Sequence, residues 1–186
     1  MPAGAVSHAT IDVDGDGRPD TEWISLTPVL QFGVTTAYGA TYAFPLSTAS
    51  PAPREGFIAK LGNRVVAMVD DNRSAYVYFF VNCGWVQPKN PQNHPYLFDF
   101  RGYSGNGSGV GCSNGSLVGW QVKPTSTGYT VTQTVINLNA DGSEASNGAT
   151  STVVANASSS DPRVTVAQEI SCGTVTVANG GVTAGD

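Results

Sequence analysis

No segment of this chain places apolar residues at i, i+3, i+4 and i+7 over three turns, the spacing a helix needs to bury one face. Almost every ten residues instead contain a glycine, a proline or a β-branched cluster. With 22 glycines and only 12% charged residues, the composition suits short strands joined by tight turns. The expected fold class is all-β. A length of 186 residues allows one domain with a sizeable core, or several small units stacked together, and leaves two independent domains cramped.

The strand-like runs follow a repeating order of strand, tight turn, strand, turn, strand. The first unit, about 9–46, contains Thr21-Glu22-Trp23-Ile24-Ser25-Leu26, then Phe32-Gly33-Val34 and Ala40-Thr41-Tyr42-Ala43-Phe44. The second, about 56–86, turns at Gly62-Asn63 and at Asp70-Asp71-Asn72; the third, about 108–138, turns at Asn114-Gly115 and near Gly128. Their spacing of about 40 to 50 residues is that of propeller blades, so a propeller-like array of about three short antiparallel repeats is one expectation and a β-sandwich is the other. Closing strands are expected over 150–172, including one from Val164 to Ile170, which makes residues 1–172 a single all-β domain. The Pro-rich connections 47–53 and 87–95 read as loops, because proline withholds a ladder donor. The Gly- and Ala-rich tail 173–186 is expected to fray.

A formal charge of −5, with nine basic residues scattered along the chain, argues against nucleic acid as a partner. No apolar run reaches the roughly 20 residues of a membrane span. Cys83, Cys112 and Cys172 form no CxxC pair, which disfavours zinc; one disulfide and one leftover thiol are expected, with Cys112–Cys172 preferred and Cys83–Cys112 as runner-up. This usage, with the Ser/Thr/Asn/Gly richness, suits a secreted or cell-surface protein. Met1-Pro2-Ala3-Gly4 reads as a start placed after a removed export segment.

Four of the acids lie within nine residues, in Asp12-Val13-Asp14-Gly15-Asp16-Gly17-Arg18-Pro19-Asp20. Such carboxylates repel one another unless a cation neutralises them, and calcium takes six to eight oxygen ligands at about 2.3–2.6 Å. Asp12, Asp14 and Asp16 are candidate side-chain ligands at positions one, three and five. The carbonyl of Arg18 follows at position seven, and Asp20 closes the shell at position nine. Gly15 and Gly17 permit the necessary curl. A solvated acidic turn without an ion is the alternative. An EF-hand would need a glutamate at the twelfth position, where Trp23 stands, and Glu22 falls one short.

The loop D-x-D-x-D-G-x-x-D running into a strand, with Phe32-Gly33-Val34 and Tyr38-Gly39-Ala40 behind it, resembles the FG-GAP or VCBS repeats of integrin-like β-propellers in secreted bacterial proteins, especially from actinobacteria. The resemblance implies a blade whose loop holds Ca2+ for structure more often than for catalysis. Because such propellers have six or seven blades, it also implies assembly from several chains.

No G-x-S-x-G elbow or H-E-x-x-H pair occurs, and His8 and His94 are the only histidines. The expected function is therefore an extracellular, calcium-binding, non-catalytic module for binding, adhesion or surface assembly, with a protein surface or a glycan as partner. Trp85, Tyr96 and Tyr103 stand in or beside loops and are candidate ligand-binding residues, since an aromatic face complements the apolar face of a pyranose; this supports a lectin-like module as the alternative. A secreted hydrolase with an inconspicuous site, built on His94, is the second alternative. In Tyr76-Val77-Tyr78-Phe79-Phe80-Val81 successive apolar side chains point to opposite sides, so both faces of that strand are expected to be covered.

Overall fold

The turns and alternations resolve, in a computed structural model that describes residues 1–46 and 52–184, into three sheets. Residues 47–51 of the first Pro-rich connection lie outside the described residues. The first sheet is the meander β1 (Val6–Ala9), β2 (Thr21–Ser25), β3 (Gln31–Thr35) and β4 (Thr41–Pro45). The second runs β5 (Arg54–Leu61), β6 (Arg64–Asp70), β7 (Ser74–Phe80) and β8 (Trp85–Val86), with β9 (Phe98–Asp99) also pairing with β7. In the third, β10 (Gly109–Ser113), β11 (Ser116–Thr125), β12 (Gly128–Leu138) and β13 (Ala145–Ala157) form a further meander. A helix, α1 (Pro162–Val166), leads from there to β14 (Ile170–Cys172), which joins β10 in parallel and pairs with β15 (Val175–Thr176). Last, β16 (Val182–Ala184) returns to the second sheet beside β5.

The second sheet is the middle layer. Along β5 to β7, Phe57, Ala59, Val66, Met68, Val77 and Phe79 pack toward the third sheet, against Val110, Leu117, Ile136 and Ile170. The intervening Ile58, Val65, Ala67 and Val69 pack toward the first, against Ile24, Phe32, Val34 and Phe44. Period-two alternation thus feeds two cores from one sheet, and both faces of β7 are covered as its sequence implies. Among the described residues no sheet closes on itself, so a sandwich-like stack is the description that fits, with each repeat unit supplying the consecutive hairpins of one layer.

Two expectations fail. The strand expected from Val164 to Ile170 is instead α1, because Asp161 caps the helix by accepting from the Arg163 amide and Pro162 stands in its first turn. Val164 and Ala167 then pack on Val131 and Ala157 of the third sheet, a contact that outweighs the β-propensity of Val-Thr-Val. The tail also departs from the expected fraying: Val182 and Ala184 are buried in the core between the first and second sheets, and β16 pairs with β5 through Val182–Gly56 and Ala184–Arg54. Short apolar side chains suffice there because the neighbouring sheets already exclude water.

Gly33 shows how closely the first layer is packed. It lies opposite Trp23 in the β2–β3 register, and a Cβ there would stand 2.6 Å from the indole ring and 2.7 Å from the Tyr42 carbonyl oxygen. Trp23 is buried and donates from Nε1 to Thr35 Oγ1 at 3.1 Å, so the ring has little freedom to withdraw. Gly33→Val is expected to cost about 1–3 kcal/mol by overpacking, read as a lower urea midpoint with an unchanged slope. A midpoint within error of the wild type would mean the ring is loosely held.

Glu22 joins the first two layers. Its Oε2 accepts from the Ile58 amide at 2.7 Å while Thr10 Oγ1 donates to the Ile58 carbonyl at 3.4 Å. Since β16 pairs with β5 only as far as Gly56, these two side chains satisfy the main-chain groups where the ladder stops. Burial pushes the Glu22 carboxyl up to about 8, against the opposing pull of the Ile58 amide.

Candidate metal centre

The Asp-rich segment is the connection between β1 and β2. Main-chain bonds from Thr10 N to Asp20 O at 2.8 Å and from Asp20 N to Ile11 O at 3.4 Å extend the hairpin ladder to its base. Beyond that point the chain curls through Gly15 and Gly17, both near φ +85, with open space where a Cβ would stand. Glycine is required there by backbone conformation, not by crowding.

The curl is organised by carboxylates taking main-chain hydrogens. Asp12 Oδ1 accepts from Gly15 N at 2.7 Å and Asp16 N at 3.1 Å, and Asp12 Oδ2 accepts from Gly17 N at 2.8 Å. The Gly17 amide first, then those of Gly15 and Asp16, holds the Asp12 carboxyl below its usual range in spite of some desolvation. Asp20 is buried and clamps two segments, accepting from Val13 N at 2.8 Å through Oδ2 and from Ala37 N at 2.9 Å through Oδ1. It thereby fixes the loop to the β3–β4 turn.

Among the described residues, one oxygen each from Asp12, Asp14 and Asp20 lie within 4.8 Å of one another. Two ligands on opposite sides of a calcium ion stand about 5 Å apart, so the three oxygens can share one ion. The donor set is hard oxygen throughout, and since a carboxylate has about four lone-pair sites, even Asp12, which accepts from three amides, keeps one to offer. Those three residues fit a divalent cation. Asp16, expected as the ligand at position five, stands outside the group; its Oδ1 accepts from Arg18 N at 2.7 Å. The Arg18 guanidinium lies 5.2 Å from the centre of the Tyr38 ring, at the loop's outer side.

The other sequence candidates are dispersed. Cys112 and Cys172 form the preferred disulfide and Cys83 is free and exposed. Trp85 packs edge-on against Phe44 and Phe80 and donates from Nε1 to the Tyr42 carbonyl at 3.2 Å, so its ring joins β8 to the first sheet. Tyr96 is half-buried, lies edge-on to Phe98 and hydrogen-bonds through its hydroxyl to Asn147 Oδ1. Tyr103 is exposed, with the Arg73 guanidinium 4.7 Å from its ring centre. His8 and His94 are both exposed.

No protein-family model, curated protein or solved structure matches this chain. Its chemistry is therefore read from its own residues.

A polar cleft on the third sheet escaped the sequence reading. It is lined by residues that include Gln121, Thr132 and Thr134, which alternate with Trp120, Val122, Val131 and Val135 along β11 and β12. That alternation was the available signal: a strand with one polar side, longer than any core above it.

Proposed function

We propose that this chain is an extracellular, calcium-binding β module that binds or assembles and does not catalyse. The observation that carries the reading is the convergence of Asp12, Asp14 and Asp20. Asp12 and Asp14 would hold the ion from the loop and Asp20 from the hairpin base, so that Ca2+ would tie the curl to the buried clamp between Val13 and Ala37. The chemistry supplied is charge neutralisation and cross-linking of the chain.

One further feature supports an extracellular setting: the Cys112–Cys172 bond is of the kind that persists in oxidising compartments. The propeller-like reading of the repeats draws on the three four-stranded meanders β1–β4, β5–β8 and β10–β13, each with the strand number of one blade. Several copies of the chain would be needed to complete a ring, which makes a homo-oligomer the corresponding assembly.

Thermal melting in millimolar Ca2+ and in chelator tests the metal reading. A ligand held only by the folded state at a hundred times its dissociation constant adds about 2.7 kcal/mol, which raises the midpoint by roughly 5–10 °C for a domain of this size. Asp14→Asn, altering an exposed ligand outside the hairpin clamp, is expected to reduce the response while leaving the chelated midpoint in place. Identical midpoints with and without calcium would overturn the reading.

A further inference from the structure

The third sheet outgrows the stack it belongs to. β11, β12 and β13 are 10, 11 and 13 residues long, whereas β5, β6 and β7 of the middle layer have 8, 7 and 7. The core shared with the middle layer includes Leu117 and Ile136 but no residue of β11 beyond Leu117. Farther along, one face of the sheet is closed by α1, through Val164 and Ala167 on Val131 and Ala157. The opposite face carries a cleft of about 320 Å3, within the range of small-ligand clefts, lined by Gln121, Thr132 and Thr134 with Tyr96, Asn147 and Asn106 at its sides.

The side of the cleft formed by Asn106 and Gly107 is held in shape before any ligand arrives. Asp99 Oδ1 accepts from Ser104 N at 2.9 Å, and its Oδ2 accepts from Asn106 N and Gly107 N, both at 3.0 Å. A Cβ at Gly107 would approach the Asp99 carbonyl oxygen to 3.0 Å, so a larger residue there would require the loop to give by a few tenths of an ångström. Gln121 Nε2 donates to Gly105 O at 3.4 Å and ties the loop to the sheet. Asp99 is the one ionisable acid or base in the lining other than the Tyr96 phenol, and main-chain hydrogens occupy three of its carboxylate's roughly four acceptor positions.

The polar groups that remain to face a ligand are carboxamides, threonine hydroxyls and one phenol, set beside the apolar Leu97, Phe98, Trp120 and Ile136. Thr134 and Thr150 share a hydrogen bond of 2.8 Å, whereas Thr132 makes no side-chain hydrogen bond among the described residues. Amides and hydroxyls both donate and accept, which matches the alternating demands of sugar hydroxyls, and the Tyr96 ring adds an apolar surface at the side. Nucleic acid and other polyanions would require cations that this lining lacks. An extended peptide would add to a free strand edge, whereas this cleft lies on a sheet face.

We propose that the cleft formed by β11, β12, β13 and residues 96–99, 106 and 107 binds a neutral oligosaccharide. This deepens the reading of the chain as a binding module and is independent of the metal, because the Asp loop belongs to the first sheet and the cleft to the third.

Calorimetric titration with neutral hexasaccharides of glucose, mannose, xylose and N-acetylglucosamine, beside an anionic oligogalacturonate, provides the test. At least one neutral hexasaccharide is expected to bind with a millimolar or tighter dissociation constant, in calcium and in chelator alike. Gln121→Ala and Thr132→Ala, both outside the core and each checked for a wild-type melting midpoint, are expected to weaken it about tenfold or more. Tyr103→Ala, outside the cleft, is expected to leave binding unchanged. Absence of neutral-sugar binding up to about 10 mM, preference for the anionic oligosaccharide, or affinity unmoved by both cleft variants would overturn the assignment. Because the calcium readout is a melting shift, neither test decides the other.

Discussion

Replacing Cys112 and Cys172 together by alanine is expected to lower the stability of the oxidised protein by about 4 kcal/mol. The bond closes a separation of 60 residues, which includes β11, β12, β13 and α1. In the chain-entropy description, closing a loop of that size in the unfolded ensemble contributes about 4 kcal/mol, and removing native disulfides typically costs about 2–5 kcal/mol. The location favours full expression of this term: Cys112 and Cys172 are direct partners in the parallel β10–β14 pairing, which spans only the three pairs from Val110–Ile170 to Cys112–Cys172. Without the bond, β14 must find its place across the whole intervening hairpin system with few main-chain contacts to reward it. Urea unfolding should show the loss directly, and the melting midpoint should fall by roughly 8–16 °C. Cys83→Ser, at the exposed free thiol, is the control and is expected to stay within about 0.5 kcal/mol. A loss below about 1 kcal/mol in the double variant would show that β14 is held by packing of Ile170 and not by the cross-link.

The sequence was most legible where a local rule acts alone. Gly62-Asn63 and Asn114-Gly115 are turns because few other residue pairs adopt their backbone angles easily, and both sit between paired strands in the structure. The double-sided burial around β7 follows from apolar residues at consecutive strand positions. Legibility ended where distant segments decide. Val164-Thr165-Val166 has the propensity of a strand, and only the Asp161-Pro162 pair before it carried the helix signal. Nothing local distinguishes Val182 and Ala184 from a loose tail, because their burial depends on β5 and the first sheet.

The candidate sites divide in the same way. Regular spacing at 12, 14, 16 and 20 brings acids into one loop but does not say which converge. The amides of Val13 and Ala37 draw Asp20 inward, while the Arg18 amide occupies Asp16. Trp85 looked like a loop aromatic free to stack on a ligand, yet the first sheet lies against it. The cleft above β12 was written as an alternation of threonines and valines. Its meaning depends on sheet lengths and on α1 covering the other side, which are tertiary facts.

Asp70→Asn is expected to stabilise the protein at pH 8 by about 2–4 kcal/mol and to have almost no effect near pH 4. Asp70 is buried at the end of β6, directly opposite Glu55 of β5. Its Oδ1 accepts from Asn72 N at 3.0 Å, but Oδ2 is buried with no hydrogen-bond partner among the described residues. Burial first, and then the neighbouring Glu55 carboxylate, push the Asp70 carboxyl up to about 7; the Asn72 amide and Arg101 pull the other way. Arg101 stands 3.7 Å from Glu55, too exposed to cancel the buried charge. In the unfolded chain the same group ionises near 3.8. Between those values the folded state holds a proton that the unfolded state has released, so stability is fully present below about pH 4 and declines as the pH rises toward 7. Asparagine keeps the acceptor for the Asn72 amide, adds a donor toward Glu55 and has no proton to lose. Urea unfolding of both proteins from pH 4 to pH 9 should therefore give curves that meet at the acid end and separate through neutrality. A residual slope in the variant is expected from Glu22, whose buried carboxyl acts in the same direction. Parallel curves across the whole range would mean that Asp70 is hydrated in the folded protein and carries its charge at little cost.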